Sequence, residues 1–221
     1  MKTYLVIGAG PGIALATAER FARDGFRIVF AARSGRSIAS GVEALRAAGA
    51  TVEVDTIDAA DPQAVAALVR RHAQDLAVLH YNAGVLHYDA AGALQPRTLA
   101  QETVGSLDSD LRTNLTSALA AVQAAQAVMA ARGEGSILLT GGGFGVEPTP
   151  AFINISVAKA GLRAAARALF EPAREQGIHV ATVTVSTLVA PGSDKANEVA
   201  DAFRALHAQP RGEWTWETVV A

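Results

Sequence analysis

The first residues with the means to do chemistry are glycines. Val6-Ile7-Gly8-Ala9-Gly10-Pro11-Gly12-Ile13-Ala14 joins an apolar run to the start of a helical stretch. Gly8 and Gly12 permit a tight turn and a close approach of backbone to a bound group. A helix that begins there offers its free N–H groups and the positive end of its dipole to a phosphate. The pattern points to a nicotinamide dinucleotide, with Gly8, Gly10, Pro11, Gly12 and Ile13 around its pyrophosphate. The next apolar run ends Phe30-Ala31-Ala32-Arg33-Ser34, and it lacks the acidic side chain that would accept both ribose hydroxyls of NAD. Ala32 leaves room for a 2′-phosphate. Arg33 can pair with that phosphate through planar, charge-assisted hydrogen bonds, and Ser34 or Arg36 can assist. NADP(H) is therefore expected in preference to NAD(H).

Other chemistries are disfavoured by composition. The five histidines show no His-Glu-x-x-His or comparable spacing, so no metal site is expected. Cysteine is absent, which excludes disulfides, thiolate nucleophiles and zinc-thiolate sites and suits a reducing, cytoplasmic setting. A net charge of -2 gives no basic field for nucleic acid. The opening apolar run passes directly into the glycine turn, too short for a signal peptide or a membrane span.

These residues need a frame to position them, and the sequence supplies a repeating one. Three helix-like stretches end in glycine (Gly25, Gly49 and Gly177) and lead at once into β-branched runs, the order helix, C-cap, strand. Leu5–Ile7, Ile28–Phe30, Val78–His80 and Ile137–Leu139 are short continuous apolar runs, as expected of strands covered on both faces. Helices are expected at about Gly12–Arg23, Ile38–Ala48, Pro62–His72, Leu107–Arg132, Phe152–Glu175 and Asn197–Leu206, with a last, edge strand near Trp214–Val219. With right-handed crossovers the chain becomes an α/β, doubly wound, Rossmann-type parallel sheet of about seven strands with helices on both faces. Residues 1–221 are expected to form one domain. Loops are expected over Val85–Thr98 and Gly141–Pro150, both after strand C-termini, where such sheets bind ligands.

On these residues the chain resembles the short-chain dehydrogenase/reductase family, whose glycine pattern is Gly-x-x-x-Gly-x-Gly. Gly8, Gly12 and Ala14 match it, and the likeness runs on through Asp58, Asn82-Ala83-Gly84, Asn114 and Lys159. It implies that Asp58 lies near the adenine, that Asn82, Ala83 and Gly84 border the cofactor, that Lys159 holds the nicotinamide ribose, and that Asn114 organises water beside it. Thr187 is placed by the resemblance at the nicotinamide carboxamide. Two catalytic positions depart. Aligning Asn154-Ile155-Ser156-Val157-Ala158-Lys159 on the family's Tyr-x-x-x-Lys puts Ile155 at the tyrosine, and Gly142 falls at the catalytic serine. Lys159 and Asn114 remain as the catalytic candidates. General acid catalysis is worth about 10²–10⁴-fold, so ordinary carbonyl reduction needs a substitute. Tyr88, His87 and Tyr81 lie on the ligand side, and the Gly141–Gly143 amides are a candidate donor set.

Two functions follow from this pattern. One is an NADP(H)-dependent oxidoreductase for a small carbonyl or alcohol compound, with a non-standard proton donor. The other is a catalytically inactive NADP(H)-binding sensor or subunit. The resemblance also implies a homo-oligomer paired through Leu107–Arg132 and Phe152–Glu175.

Overall fold

A computed structural model describes residues 1–89 and 92–221. Ala90 and Ala91, within the expected Val85–Thr98 loop, lie outside the described residues. Seven parallel strands form one sheet: β1 (Thr3–Ile7), β2 (Arg27–Ala32), β3 (Val52–Thr56), β4 (Leu76–Tyr81), β5 (Gly135–Thr140), β6 (Ile178–Val185) and β7 (Glu217–Val220), in the order β3-β2-β1-β4-β5-β6-β7. The chain winds outward from β1 to β3, then crosses to the other side of β1 to lay down β4. The crevice beyond the carboxyl ends of β1 and β4 is thus the switch point, where open α/β sheets take ligands.

The helices are α1 (Ile13–Arg23), α2 (Ala39–Ala47), α3 (Pro62–Arg71), α4 (Val104–Leu111), α5 (Ser117–Ala130), α6 (Ile153–Glu175) and α7 (Asp194–Ala208). Alternate residues of each strand feed opposite cores. Leu5, Ile7 and Val29 join Val65, Leu68, Ala121, Met129 and Leu162 of α3, α5 and α6 on one face. Tyr4, Val6, Ile28 and Phe30 join Phe21, Val42 and Phe203 of α1, α2 and α7 on the other. Both faces are buried under helices, which is why the strands read as unbroken apolar runs. Local chemistry sets the ends: Asp61 caps α3, accepting from the Gln63 and Ala64 amides at 2.9 and 3.0 Å with Pro62 in the first turn, and Ser193 caps α7 through the Ala196 amide at 3.1 Å. Gly25, Gly49 and Gly177 have φ of +83°, +88° and +79°, the left-handed conformation their helix-ending role requires.

Two expectations are corrected. The single helix expected over Leu107–Arg132 is α4 and α5 joined by a π turn at Arg112–Thr116, a turn that holds one residue more than its α counterpart. The last strand begins at Glu217, not near Trp214: Arg211–Glu213 is a short 3₁₀ turn, and Trp214 leaves the ladder to stack on His179 at 4.7 Å and to donate its indole N–H to the Gln209 carbonyl at 2.9 Å. Burying the ring and satisfying its donor outweighs extending a short edge strand. No helix among the described residues is long and apolar enough to cross a membrane.

Candidate active site

The switch point opens into a solvent-facing cleft lined by Gly8, Ala32, Arg33, Asp58, Asn82 and Gly84 among others. Gly8 ends β1 at φ +88°, and a Cβ there would overlap the backbone of Ala83. The two segments are tied directly: the Asn82 side chain donates to the Gly8 carbonyl at 2.9 Å and its amide to the Ile7 carbonyl at 2.8 Å. Past Gly8, nothing lies within 4 Å of where a Gly10 Cβ would stand, and Gly12 has only the Val189 carbonyl, at 3.8 Å. The turn, with Pro11 and Ile13 completing it into α1, therefore faces open space ahead of a helix N-terminus. This cradle fits a dinucleotide phosphate in shape and in donors.

At the edge of the cleft, Arg33 is exposed and the strand end before it carries no carboxylate. Asp58 is exposed, with Oδ1 accepting the Ala60 amide at 2.9 Å. Ser34 spends its hydroxyl on the following turn, accepting the Arg36 amide at 3.3 Å. Thr187 sits exposed on the loop after β6, the loop whose Val189 carbonyl approaches Gly12.

Lys159 and Asn114 come together against Gly84, where an added Cβ would lie 3.6 Å from Asn114 Oδ1 and 3.9 Å from Lys159 Nζ. Lys159 is buried and donates to the Thr140 carbonyl at 2.6 Å; burial lowers its pKa to about 8. Asn114 sits in the π turn, and its Oδ1 accepts the Val85 amide at 2.6 Å. Gly142, which the resemblance aligns with the family's serine, has ordinary extended backbone, and a Cβ there would stand 3.3 Å from Lys159 Cγ. Ile155 is 6% exposed, one helical turn before Lys159.

Of the candidate substitutes for the acid, Tyr81 is excluded by its setting. It is buried, donates to the Thr113 carbonyl at 2.6 Å, and burial raises its pKa. Tyr88 is 55% exposed. The Gly141 amide is committed to the Val183 carbonyl at 2.8 Å, so the glycine run offers fewer free donors than its sequence suggests.

Sequence reading missed two polar groupings. The first is a chain through the sheet: Tyr4 Oη to His80 Nδ1 at 2.6 Å, His80 Nε2 to Thr140 Oγ1 at 2.9 Å, Thr140 Oγ1 to Asn82 Oδ1 at 2.8 Å, and Asn82 on to Gly8. Because Thr140 donates to Asn82, its oxygen accepts from His80 Nε2–H, and His80 Nδ1 accepts from Tyr4. His80 is held neutral, its pKa lowered to about 3 by burial and then by the positive charge of Lys159. The second lies next to Ile155. Asp110 Oδ2 accepts from His87 Nε2 at 2.8 Å and from Asn154 Nδ2 at 2.9 Å, and Arg97 stands 3.6 Å from Glu102. These groups line a shallow depression, open to solvent, that also includes Ile155 and Val85, and Val85 borders the larger cleft as well. No spacing rule could find this cluster, because its members come from three separate segments.

His87, Glu102 and Asp110 bring ligand atoms within 4.8 Å of one another. Glu102 is already engaged by Arg97 and by the Ser106 hydroxyl, which makes the group a poor cation cage.

Known proteins place this architecture. The chain is 26% identical over 217 residues, 96% of its length and 82% of the relative's, to 2,5-dichloro-2,5-cyclohexadiene-1,4-diol dehydrogenase LinX of Sphingobium indicum. A short-chain dehydrogenase from Rhodopseudomonas palustris superposes with a TM-score of 0.88 at 25% identity, covering 100% of this chain and 98% of that one. A metagenomic short-chain oxidoreductase solved in complex with NADP superposes at 0.87 with 24% identity, covering 99% and 96%. The family description "short chain dehydrogenase" matches residues 2–200, and the chain belongs to that family.

Proposed function

We propose that the protein is an oxidoreductase that uses NADP(H) in preference to NAD(H), acts on a small carbonyl or alcohol compound, and moves the proton with a group other than a tyrosine. The observation that carries this reading is the cleft edge: Ala32 and Arg33 stand where a carboxylate would be needed to favour NAD. The metagenomic neighbour's complex with NADP supports the same cofactor, and the LinX name attaches a diol dehydrogenase to a relative of 26% identity.

When bound, the nicotinamide supplies the hydride. The chain's own residues do the rest. Gly8, Gly10, Pro11, Gly12 and Ile13 seat the pyrophosphate, Arg33 with Ser34 takes the 2′-phosphate, and Asp58 meets the adenine. Asn82, Ala83 and Gly84 border the cofactor, and Thr187 meets the carboxamide. Lys159 turns from Thr140 to the nicotinamide ribose, and Asn114 fixes the Val85 backbone and the adjoining water. Residues 1–221 act as one domain in a cytoplasmic homo-oligomer, for which α4, α5 and α6 offer the exposed apolar residues Val104, Leu119 and Val157.

Calorimetric titration with NADPH and NADH tests the assignment. NADPH is expected to bind at least 10-fold tighter, and Arg33→Ala to weaken it by about 10–100-fold, the worth of a charge-assisted pair at roughly 1.5–3 kcal/mol, while leaving NADH within 2-fold. Equal affinities, or an Arg33→Ala protein with unchanged preference, would refute the cofactor assignment. Following NADPH absorbance against a carbonyl panel then tests turnover. One observation favours a second reading: neither Ile155 nor Gly142 carries an exchangeable side-chain proton. Selective binding without turnover on any carbonyl would make the protein a sensor or subunit.

A further inference from the structure

The pocket beside Ile155 holds a histidine oriented by a buried carboxylate. Asp110 is 5% exposed and takes the Nε2–H of His87, so Nδ1 is the ring nitrogen left without a partner among the described residues. The same Asp110 oxygen pins Asn154 Nδ2. That bond fixes which end of the amide is which, because only the nitrogen can donate to a carboxylate. Asn154 Oδ1 is consequently an acceptor with no donor, on a side chain 8% exposed in the pocket wall. An orphaned buried acceptor costs about 1–3 kcal/mol unless something satisfies it, and a ligand hydroxyl would do so. The charged groups are already engaged: Arg97 stands against Glu102, and the Asp110 carboxylate accepts from His87 and Asn154, so none is left to demand a charged ligand.

We propose that this pocket is the substrate subsite for a small neutral hydroxy-carbonyl compound or the corresponding diol, with His87 as the proton carrier and Asn154 Oδ1 as acceptor for the second hydroxyl. The proposal rests on the oxidoreductase reading above and names the donor that reading leaves open. In the reducing direction the carbonyl carbon gains a hydride from the reduced nicotinamide, and the carbonyl oxygen takes the Nδ1 proton of the His87 imidazolium. The C=O π bond becomes a C–H and an O–H bond, His87 is left neutral, and solvent returns its proton. Asp110 acts through His87, holding Nε2–H and so presenting Nδ1 to the pocket. Val85 lines this pocket and the dinucleotide cleft alike, and Asn114 holds its amide, so the two compartments meet at a fixed point.

The probes are acetoin and 2-butanone, alike in size except for the hydroxyl. Wild-type protein with NADPH is expected to favour acetoin by at least ~10-fold in kcat/KM. His87→Gln should lower kcat by about 10²-fold or more with NADPH affinity within 2-fold, and added imidazole should restore part of the loss in His87→Ala. Asn154→Ala should bring the two probes to near parity. A second readout needs no cofactor: in ¹H–¹⁵N spectra of the histidine rings, assigned with His87→Gln, acetoin should move the His87 signals and leave those of His179 in place. Wild-type turnover of carbonyls with His87 variants within 3-fold would overturn the proton role and leave the oxidoreductase reading standing. Unmoved His87 signals at saturating acetoin would overturn the subsite, whatever the turnover. Moving signals without any NADPH oxidation would support the subsite and sink the oxidoreductase reading.

Discussion

The two compartments that meet at Val85 are built differently. The cleft under β1 and β4 is made of backbone: a glycine with φ +88° pressed against Ala83, an open turn, and an asparagine tying one strand end to the other. The pocket beside Ile155 is made of side chains drawn from a loop, from α4 and from the start of α6. At Gly8 the backbone cradle tolerates no side chain, because a Cβ there would collide with Ala83. A side-chain cluster can be rebuilt one residue at a time while the fold stays in place. The contrast sets a cofactor cleft fixed by backbone geometry beside a pocket whose shape depends on individual side chains.

The most direct way to break the contrast is Gly8→Ala. A left-handed backbone and overlap with Ala83 act together, so the variant should lose NADPH binding entirely and at least about 3 kcal/mol of stability, read by calorimetry and by urea unfolding. A variant that still binds NADPH would show the turn to be less rigid than its geometry demands.

Rebuilding the chemical half is the next largest effect. Ile155→Tyr with Gly142→Ser should raise NADPH oxidation with simple ketones by about 10²–10⁴-fold. Gly142 has ordinary extended backbone, and Lys159 Cγ, at 3.3 Å from the new Cβ, belongs to a side-chain stem that can shift a few tenths of an ångström. No gain, with cofactor still bound, would mean that the rest of the pocket has moved away from the family's geometry.

A smaller effect sharpens the comparison, since the Tyr4–His80–Thr140–Asn82 chain runs from the core to the cradle. His80 has its pKa lowered to about 3, and His207 to about 4, both chiefly by burial. Between those values and about 6.5 the unfolded chain binds protons that the folded one refuses, so stability is complete above pH 6.5 and falls as the pH drops. For His80 alone the loss from pH 6.5 to 5 is about 2 kcal/mol, at 1.36 kcal/mol per unit. His80→Gln should reduce the slope of unfolding free energy against pH in that window, leaving the part carried by His207 and by His179, whose pKa burial also lowers; an unchanged slope would show that His80 does not carry it.

How much of this was legible in the sequence follows the same division. Gly8, Gly25, Gly49 and Gly177 could be read because a positive φ selects for glycine at single positions, and the strands because burial on both faces leaves unbroken apolar runs. Lys159 and Asn114 could be placed, and they do converge on Gly84. The π turn could not, since apolar periodicity does not report which carbonyl an amide selects. Trp214 reads as part of an alternating strand, yet His179 and Gln209 compete for it successfully. The His87–Asp110–Asn154 contacts depend on three segments whose meeting is a property of the fold.

The π turn has a consequence of its own. A turn with one surplus residue is a place where the chain can change length without changing shape. Deleting one residue from Arg112–Thr116 would let the helix close as ordinary α-helix, with α4 and α5 keeping their directions. Asp110 would stay at the pocket, and what would disappear is the seat from which Asn114 holds Val85. Losing that single surplus position would detach one compartment from the other with both helices left in place.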